Sequence, residues 1–445
     1  MRWQVRSWWL AAGAALLLAA CGGGGGGSGG AVPVEEQRGS LLEAPVVVGT
    51  LSATAIDDLA RSRGVLDLAG AATCDVRVLA LNYRTPGVQG EVSNASAVLL
   101  EPAGNCQGRS HPLVAYARST EAHRPRTLAS TSDVETQLLA AMYAGQGFAV
   151  VASDYLGYAK SAHAYHPYLH ADSEATTVVD AIRAARRAFQ QRGVALSGKV
   201  MLTGYSQGAH ATMAAQRAIE ASLGGEITVA AAAHAAGPYN LSSLLQRGDA
   251  IVGYQYFMPL LLTSWQKVYG NLYAAPGEAF RTPYSGYIDS LLPSATETFE
   301  SLRAKGLLPG ESSTPQQAQQ LLIQQAYLAA MRSDAQHPAI AAARRNDVVA
   351  WSPRAPTLLC GGSADPSTSY QLHQVTAKTS FDQRGGTQVQ SVDVDPQIQA
   401  RFGIGSHAPT DPASAAYAAY FAAYHTDLAP PLCHLQARAL FQQVR

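Results

Sequence analysis

From about residue 75 onward, the sequence alternates short β-rich runs with longer runs of helical character. This alternation is typical of a mostly parallel sheet with helices on its faces. Apolar residues recur at helical spacing over residues 173–190, which predicts a helix that covers one face of the sheet. A hairpin of two strands, residues 76–82 and 91–100, is predicted to come first. The strands predicted after it are residues 113–116, 148–153, 200–204, 227–233, 357–361 and 388–393.

One long segment interrupts this pattern. Residues 241–350 contain runs of helical character without strand alternation, and they lie between two apolar predicted strands. We therefore predict a helical cap inserted into an α/β domain that comprises residues 41–240 and 351–445. Aromatic residues are dense between Tyr254 and Tyr287. Such rings either pack the cap onto the domain or line an apolar pocket.

The amino-terminal residues have the features of an export signal. A basic start is followed by an apolar stretch over residues 8–20 that is shorter than a membrane span requires, so a cleaved signal peptide is predicted over residues 1–21. Its end, Leu18-Ala19-Ala20-Cys21, resembles a bacterial lipobox, which implies lipidation of Cys21 and a membrane anchor, with a preference for the outer membrane. Residues 22–40 are predicted to be a glycine-rich flexible tether. Residues 31–54 are interpreted as a linker that leads into a first helix.

Four cysteines remain once Cys21 is set aside, and an even number in an exported protein suggests two disulfides. The predicted hairpin brings Cys74 and Cys106 together at its open end. That pairing leaves Cys360 with Cys433. Metal ligation is the alternative, but no Cys-x-x-Cys or His-x-x-His pair lies near these cysteines.

The segment from Val200 to His210 predicts a nucleophile. A buried strand runs into Gly204-Tyr205-Ser206-Gln207-Gly208 and then into an alanine-rich helix. A sharp strand-to-helix turn exposes the serine hydroxyl, and small residues on either side let strand and helix approach closely. We predict Ser206 as the nucleophile. The alternative is a serine at an ordinary helix N-cap.

A serine hydroxyl needs a histidine to accept its proton and a carboxylate to orient that histidine. In this kind of site the order along the chain is serine, acid, histidine. Asp365 follows a predicted strand in a glycine-rich loop and is our choice for the acid, with Asp393 and Asp395 as competitors. For the base we predict His407, which lies in a loop before the last helix. His425 is disfavoured because it falls at the end of a helical run.

Acyl transfer also needs two donors to hold the developing oxyanion. The backbone N–H of Gln207, next to the nucleophile, is predicted to supply one. The second is predicted to come from the loop after the strand of residues 113–116, with Ser119 preferred over Thr120.

These motifs make the chain resemble the α/β hydrolases, and more narrowly the secretory lipases and related exported bacterial esterases. The resemblance covers roughly residues 75–430. It implies hydrolysis of carboxylic esters through an acyl-serine intermediate, with the cap forming much of the acyl pocket. Many bacterial esterases have His-Gly in the oxyanion loop where this chain has Arg118-Ser119. The motifs that carry the resemblance are Gly204–Gly208, Ser153-Asp154-Tyr155-Leu156-Gly157-Tyr158, His166-Pro167-Tyr168-Leu169-His170 and Cys360-Gly361-Gly362 leading to Asp365-Pro366.

The sequence therefore predicts an exported, membrane-tethered serine esterase or lipase acting on a small ester or lipid substrate, without cofactor or metal. His163, His166 and His170 are interpreted as structural. With 32 basic and 32 acidic residues the formal charge is zero, which argues against a nucleic-acid partner. Two alternatives stay open: a serine peptidase of the same fold that acts on short peptides, and an inactive binding lipoprotein. The oligomeric state is not determined by the sequence.

Overall fold

The computed structural model describes residues 38–310, 312–402 and 409–445. The predicted signal peptide, Cys21 and nearly all of the predicted tether lie outside these ranges. His407 lies outside them as well.

The described residues form one nine-stranded sheet with the order β1-β2-β3-β5-β4-β6-β7-β8-β9. Strands β1, β2 and β3 are antiparallel to their neighbours, and β3 pairs antiparallel with β5. The rest of the sheet, from β5 through β4 to β9, is parallel. The predicted α/β fold is confirmed. The strands are β1 (Val46–Leu51), β2 (Asp75–Pro86), β3 (Val92–Ala103), β4 (His111–Ala117), β5 (Ala149–Tyr155), β6 (Leu196–Tyr205), β7 (Val229–Ala235), β8 (Thr357–Gly361) and β9 (Val389–Asp393).

Strand β1 corrects one expectation. Residues 31–54 were expected to be a linker, yet Val46–Leu51 form an edge strand that pairs with β2. Three consecutive valines, Val46, Val47 and Val48, are each more than 40% exposed, so the strand lacks the alternating polarity that identifies a half-buried strand in a sequence. Pairing with β2 determines its conformation.

Helices follow most of the strands, as their apolar periodicity predicts. In chain order they are α1 (Ala53–Ser62), α2 (Leu66–Ala69), α3 (Val134–Met142), α4 (Ala171–Gln191), α5 (Gln207–Ala218), α6 (Leu241–Arg247), α7 (Tyr254–Tyr269), α8 (Pro276–Ala279), α9 (Ile288–Leu291), α10 (Phe299–Ala304), α11 (Pro315–Leu322), α12 (Gln325–Ser333), α13 (Pro338–Asn346), α14 (Thr376–Gln383), α15 (Asp395–Phe402), α16 (Ala415–Ala423) and α17 (Ala429–Val444). A π-helical turn, Tyr424–Leu428, joins α16 to α17.

The two faces of the sheet are covered by different helices. On one face α4 and α5 bury side chains such as Ile182, Phe189 and Met213 against the strands. On the other face α1, α3 and α17 contribute residues such as Leu139 and Phe441. Full burial of each such side chain stabilises the fold by about 2 kcal/mol, so the sheet is held rigidly from both sides.

Helices α6 to α13 lie between β7 and β8 and form a hydrophobic cluster of their own. The fully buried Trp265 lies in this cluster, and its indole N–H donates to the carbonyl oxygen of Tyr168 at 3.0 Å. The N–H of Tyr168 donates to the hydroxyl of Ser264 at 2.7 Å. The cap is therefore fastened to the segment that follows β5.

Both predicted disulfides are present. Cys74 is bonded to Cys106, and Cys360 is bonded to Cys433. The second bond joins β8 to α17. His425 lies between these two elements in the chain.

None of the helices in the described ranges has both the length and the apolar composition that a membrane-spanning helix requires.

Candidate active site

Ser206 sits on a strained turn between β6 and α5. Its φ of 56° and ψ of −121° lie where residues with a side chain are rarely found. Neighbouring atoms leave no room for larger residues beside it. A Cβ at Gly208 would collide with the carbonyl oxygen of Ala117, and one at Gly204 would collide with the carbonyl oxygen of Gly208. The predicted sharp turn at the serine is what the structure contains.

His425 lies between Ser206 and Asp365. Its Nε2 is 2.9 Å from the Ser206 hydroxyl oxygen, and its Nδ1 is 2.7 Å from Oδ2 of Asp365. His425 is 5% exposed, so the three groups interact largely out of contact with water. Nδ1 donates to the carboxylate, which leaves Nε2 free to accept the serine proton.

This geometry corrects the prediction of His407 as the base. His425 fills the position beside Ser206 and Asp365, while His407 lies outside the described residues. His425 was disfavoured because it falls at the end of a helical run. In the structure His425 lies in the π-helical turn Tyr424–Leu428. Single π-helical turns of this type are frequent at functional sites.

A signal for His425 was present in the sequence. The predicted Cys360–Cys433 bond draws the last helix towards the strand that precedes Asp365. His425 is eight residues before Cys433, whereas His407 is considerably farther from it. Disulfide pairing therefore favours His425 more strongly than the distinction between loop and helix does.

Asp365 is held by a tight turn. Its Oδ1 accepts the backbone N–H groups of Ser367 at 2.8 Å and Thr368 at 3.1 Å, and its Oδ2 accepts the Thr368 hydroxyl at 3.1 Å. These donors fix the orientation of the carboxylate and of the oxygen that faces His425.

The competing carboxylates have other partners. Asp393 accepts the backbone N–H groups of Ser363 and Asp395, which closes a turn. Asp395 accepts the hydroxyl of Tyr424 at 2.6 Å. Burial and this carboxylate raise the pKa of Tyr424 far above its usual value. Since Tyr424 precedes His425, this bond holds the π-helical turn in place.

The loop after β4 differs from the prediction for the oxyanion donors. The backbone N–H of Ser119 donates to Oε1 of Glu135 at 2.9 Å, so it points away from the serine. The same oxygen accepts the hydroxyl of Tyr116 at 2.6 Å. The prediction that the Ser119 N–H supplies the second oxyanion donor is therefore wrong. The backbone N–H of the next residue, Thr120, becomes the candidate. Gln207 is the first residue of α5, where backbone N–H groups have no partner inside the helix.

Beneath the turn lies a buried polar cluster that the sequence reasoning did not find: His166, Glu174, Gln207 and His210. The Gln207 side-chain N–H₂ donates to Oε1 of Glu174 and to Nε2 of His166, each at 2.7 Å. His166 donates through Nδ1 to the carbonyl of Leu156 at 2.9 Å. Burial lowers the pKa of His166 to about 3, so its ring is neutral near neutral pH. The spacing of apolar residues along a helix shows which face is buried. It does not show that Glu174 of α4 contacts Gln207 of α5.

His163 and His170, which were interpreted as structural, have local partners. His163 lies 3.4 Å from a carboxylate oxygen of Glu91, and His170 caps α4 by accepting the N–H of Ser173. Burial lowers the pKa of both rings. Across the described ranges, no three histidine, cysteine or acidic side chains are grouped closely enough to hold a metal ion.

Two pockets border Ser206. The first is mainly apolar; its lining includes Leu241, Leu244, Ile251, Phe257, Met258 and Leu261 from the cap. The second is larger and has charged and polar residues in its wall; its lining includes Ser119, Thr120, Arg126, Glu135, Tyr256 and His434. Ser206, Phe257 and His425 line both.

The sheet and the site define the class of α/β hydrolases. The defining features are the serine on a strained turn, the histidine oriented by an aspartate and the helices inserted between β7 and β8. The family model described as secretory lipase matches residues 123–277. A sequence search of curated proteins finds no match.

Solved structures match over most of the chain. A ligand-bound form of the rice cell wall degrading esterase LipA from Xanthomonas oryzae is 33% identical, with a TM-score of 0.79 over 92% of this chain and 100% of that one. A putative hydrolase from Legionella pneumophila is 20% identical, with a TM-score of 0.74 over 91% and 98% of the two chains, and shares the fold. Candida antarctica lipase A is 16% identical, with a TM-score of 0.55 over 80% and 77%.

The chain belongs to the same family of α/β hydrolases as the LipA esterase, and part of it matches the secretory lipase model. It is accordingly a hydrolase of the lipase and esterase type.

Proposed function

We propose that the protein is an exported serine carboxylic ester hydrolase that works through an acyl-serine intermediate. The observation that carries this proposal is the position of His425, within hydrogen-bond distance of both the Ser206 hydroxyl and the Asp365 carboxylate. This is the arrangement that turns a weakly nucleophilic hydroxyl into an effective one.

In the first half of the reaction, Ser206 Oγ bonds to the ester carbonyl carbon while its proton passes to Nε2 of His425. Asp365 orients the ring and stabilises the imidazolium that forms. The C–O bond to the alcohol then breaks, and the departing alkoxide takes the proton from His425. In the second half, His425 takes a proton from water as the water oxygen bonds to the acyl carbon. The bond between that carbon and Ser206 Oγ then breaks, Oγ takes the proton back from His425, and the acid is released.

The carbonyl oxygen becomes negatively charged in both tetrahedral intermediates. The backbone N–H groups of Gln207 and Thr120 are the proposed donors that hold it. Donors of this kind each contribute a factor of about 10² to 10³ in kcat because they are fixed before charge develops.

The two pockets suggest how a substrate lies. The apolar pocket under the cap suits the acyl group, and the mixed pocket with Arg126 and Glu135 suits the alcohol. The LipA esterase is described as degrading rice cell wall, which makes esters of cell-wall polymers a candidate substrate class beside lipid esters.

Export and anchoring form the second part of the proposal. Two disulfides are compatible with an oxidising compartment, and the sequence at Cys21 resembles a lipobox. We place the protein on the outer membrane through a lipid on Cys21. Metabolic labelling with a fatty acid, in the full chain and in Cys21→Ser, tests this placement. Label on the full chain but not on the variant supports it, and equal labelling of both contradicts it.

The activity is tested with p-nitrophenyl esters from acetyl to palmitoyl, using protein that lacks residues 1–30. Turnover that disappears in Ser206→Ala supports the esterase, and the preferred chain length distinguishes esterase from lipase. An aminoacyl anilide serves as the comparison substrate. Cleavage of the anilide with inert esters would favour a peptidase, and no reaction with either would favour a binding protein.

A further inference from the structure

The buried cluster beneath Ser206 is organised around one carboxylate. Glu174 is 2% exposed and lies in the first turn of α4. Its Oε1 accepts the Gln207 side-chain N–H at 2.7 Å and the Leu169 backbone N–H at 3.2 Å. Its Oε2 lies 2.6 Å from Nδ1 of the fully buried His210. The carboxylate therefore links α4 to two residues of α5.

Each hydrogen of the Gln207 amide has an acceptor. One goes to Glu174 Oε1 and the other to Nε2 of His166, whose Nδ1 hydrogen is committed to Leu156. Rotating the amide by 180° would turn its oxygen towards a carboxylate and a ring nitrogen without a hydrogen. Such a contact costs about 1–3 kcal/mol for each buried polar group left unpaired. The orientation of the Gln207 side chain is thus fixed from two sides.

His210 extends the cluster to the end of the cap. Its Nε2 donates to the carbonyl oxygen of Asn346 at 2.8 Å, while its Nδ1 faces Oε2 of Glu174. Asn346 ends α13, the last helix before the chain returns to the sheet. Its side-chain oxygen accepts the backbone N–H of Ala171, the first residue of α4. The same contacts therefore fix the serine turn and the base of the cap.

The strained conformation of Ser206 persists where its surroundings hold it. Gln207 is the residue immediately after that turn, and its backbone N–H is the proposed oxyanion donor. Because its side chain is clamped, its backbone has little freedom to turn away from the reacting oxygen. We propose that Glu174 and His210 are positioning residues that hold the oxyanion donor of Gln207 through its side-chain amide.

This inference rests on the proposed ester hydrolysis and adds a residue pair to it. Neither Glu174 nor His210 lines the two pockets beside Ser206, so the pair acts through Gln207 rather than on substrate. A misplacement of about 1 Å in a catalytic group costs up to about 10² in rate. Loss of the clamp should therefore lower kcat and leave KM nearly unchanged.

The test compares Glu174→Ala, Gln207→Leu, the double variant and Glu174→Gln on one p-nitrophenyl ester. We expect each of the first two to lower kcat about 10- to 100-fold, with KM within about threefold of wild type. The double variant should be no slower than the slower single variant, because both changes break one clamp. The amide of Glu174→Gln can accept from Gln207 and donate to Nδ1 of His210, so this variant should recover kcat to within a few fold of wild type.

Asp180→Asn is the matched control. Asp180 is a buried carboxylate on the same helix, paired with Arg183 at 2.8 Å and with Thr85, far along α4 from the serine turn. This variant should lower the free energy of unfolding while kcat stays at the wild-type value. If Glu174→Ala does not fold, the kcat values of Gln207→Leu and Glu174→Gln test the inference instead.

Three results would overturn the inference: an unchanged kcat in folded Glu174→Ala or Gln207→Leu, a Glu174→Gln variant as slow as Glu174→Ala, or multiplied losses in the double variant. Failure of the proposed function is distinguishable, because wild type would then hydrolyse no ester. The rate at which a fluorophosphonate labels Ser206 still reports on the clamp in that case. Slower labelling of Glu174→Ala than of Asp180→Asn supports the inference, and equal rates contradict it.

Discussion

At the scale of single residues, the site is a line of hydrogen bonds in which each group has one role. Asp365 receives three donors besides His425, so its orientation is set by its own turn. His425 can then accept a proton only through Nε2, which faces Ser206. The chemistry depends on that single open nitrogen.

Substituting the two candidate histidines separates them. His425→Ala removes the proton acceptor and should lower kcat/KM by about 10³ or more. His407→Ala should leave kcat/KM within about twofold of wild type. Initial rates on a p-nitrophenyl ester, with thermal unfolding as a check on the fold, measure both. The reverse order of effects would restore His407 as the base.

At the scale of elements, the acid and the base lie on separate parts of the chain that one covalent bond joins. Cys360 lies in β8 five residues before Asp365, and Cys433 lies in α17 eight residues after His425. Both sulfur-bearing residues are 1% exposed. Together with the bond from Tyr424 to Asp395, this disulfide fixes how the π-helical turn meets the sheet.

Removing that disulfide should affect both stability and rate. The Cys360→Ser, Cys433→Ser double variant should lose about 4 kcal/mol of unfolding free energy, from a closed loop of 73 residues. Its kcat should fall as well, since His425 loses its anchor. The matched control is Cys74→Ser, Cys106→Ser, which removes the bond remote from the triad and should lower stability while leaving kcat unchanged. Equal kcat in the two double variants would show that the bond does not position His425.

The cap helices determine the shape of the apolar pocket, and Leu244 of α6 is a half-buried part of its wall. Leu244→Trp should fill space needed by longer acyl chains. We expect kcat/KM for octanoyl and longer p-nitrophenyl esters to fall about 10- to 100-fold relative to acetyl. Leu321→Trp, at an exposed cap position, is the control that should keep the wild-type profile. A chain-length profile that does not change in Leu244→Trp would place the acyl group elsewhere.

The elements differ in how well the sequence predicts them. The parallel strands, helix α4 and both disulfides are predicted because apolar runs, helical spacing and a hairpin are local patterns. Ser206 and Asp365 are predicted for the same reason, since each follows a strand. Strand β1, His425 and the Glu174 cluster depend on which distant segments meet, and no local pattern records that.

At the scale of the whole molecule, burial of neutral histidines makes the fold sensitive to acid. Burial lowers the pKa of three rings to about 3 and that of His434 to about 4. In the unfolded chain these rings titrate near pH 6.5, so the unfolded state binds more protons below that value. Their stabilising contribution is complete above pH 6.5 and is lost as the pH falls towards the folded-state pKa. The three rings whose pKa falls to about 3 are those of His166, His234 and His373.

Denaturant unfolding at several pH values measures this effect. Between pH 6 and pH 5 the free energy of unfolding should fall by more than about 2 kcal/mol, which corresponds to uptake of at least one or two protons on unfolding. Replacing His434, which bonds through Nδ1 to Tyr143, by glutamine should reduce that slope. Stability that is constant or rises over this pH range would contradict the account.

The central claim is that Ser206 carries the acyl group during turnover. Acid quenching of the protein within milliseconds of mixing with a p-nitrophenyl ester, followed by peptide mass spectrometry, tests it directly. The account predicts the mass of one acyl group on the peptide that contains Ser206, and its absence in Ser206→Ala together with loss of turnover. An acyl group on another residue, or ester hydrolysis at the wild-type rate by Ser206→Ala, would contradict it.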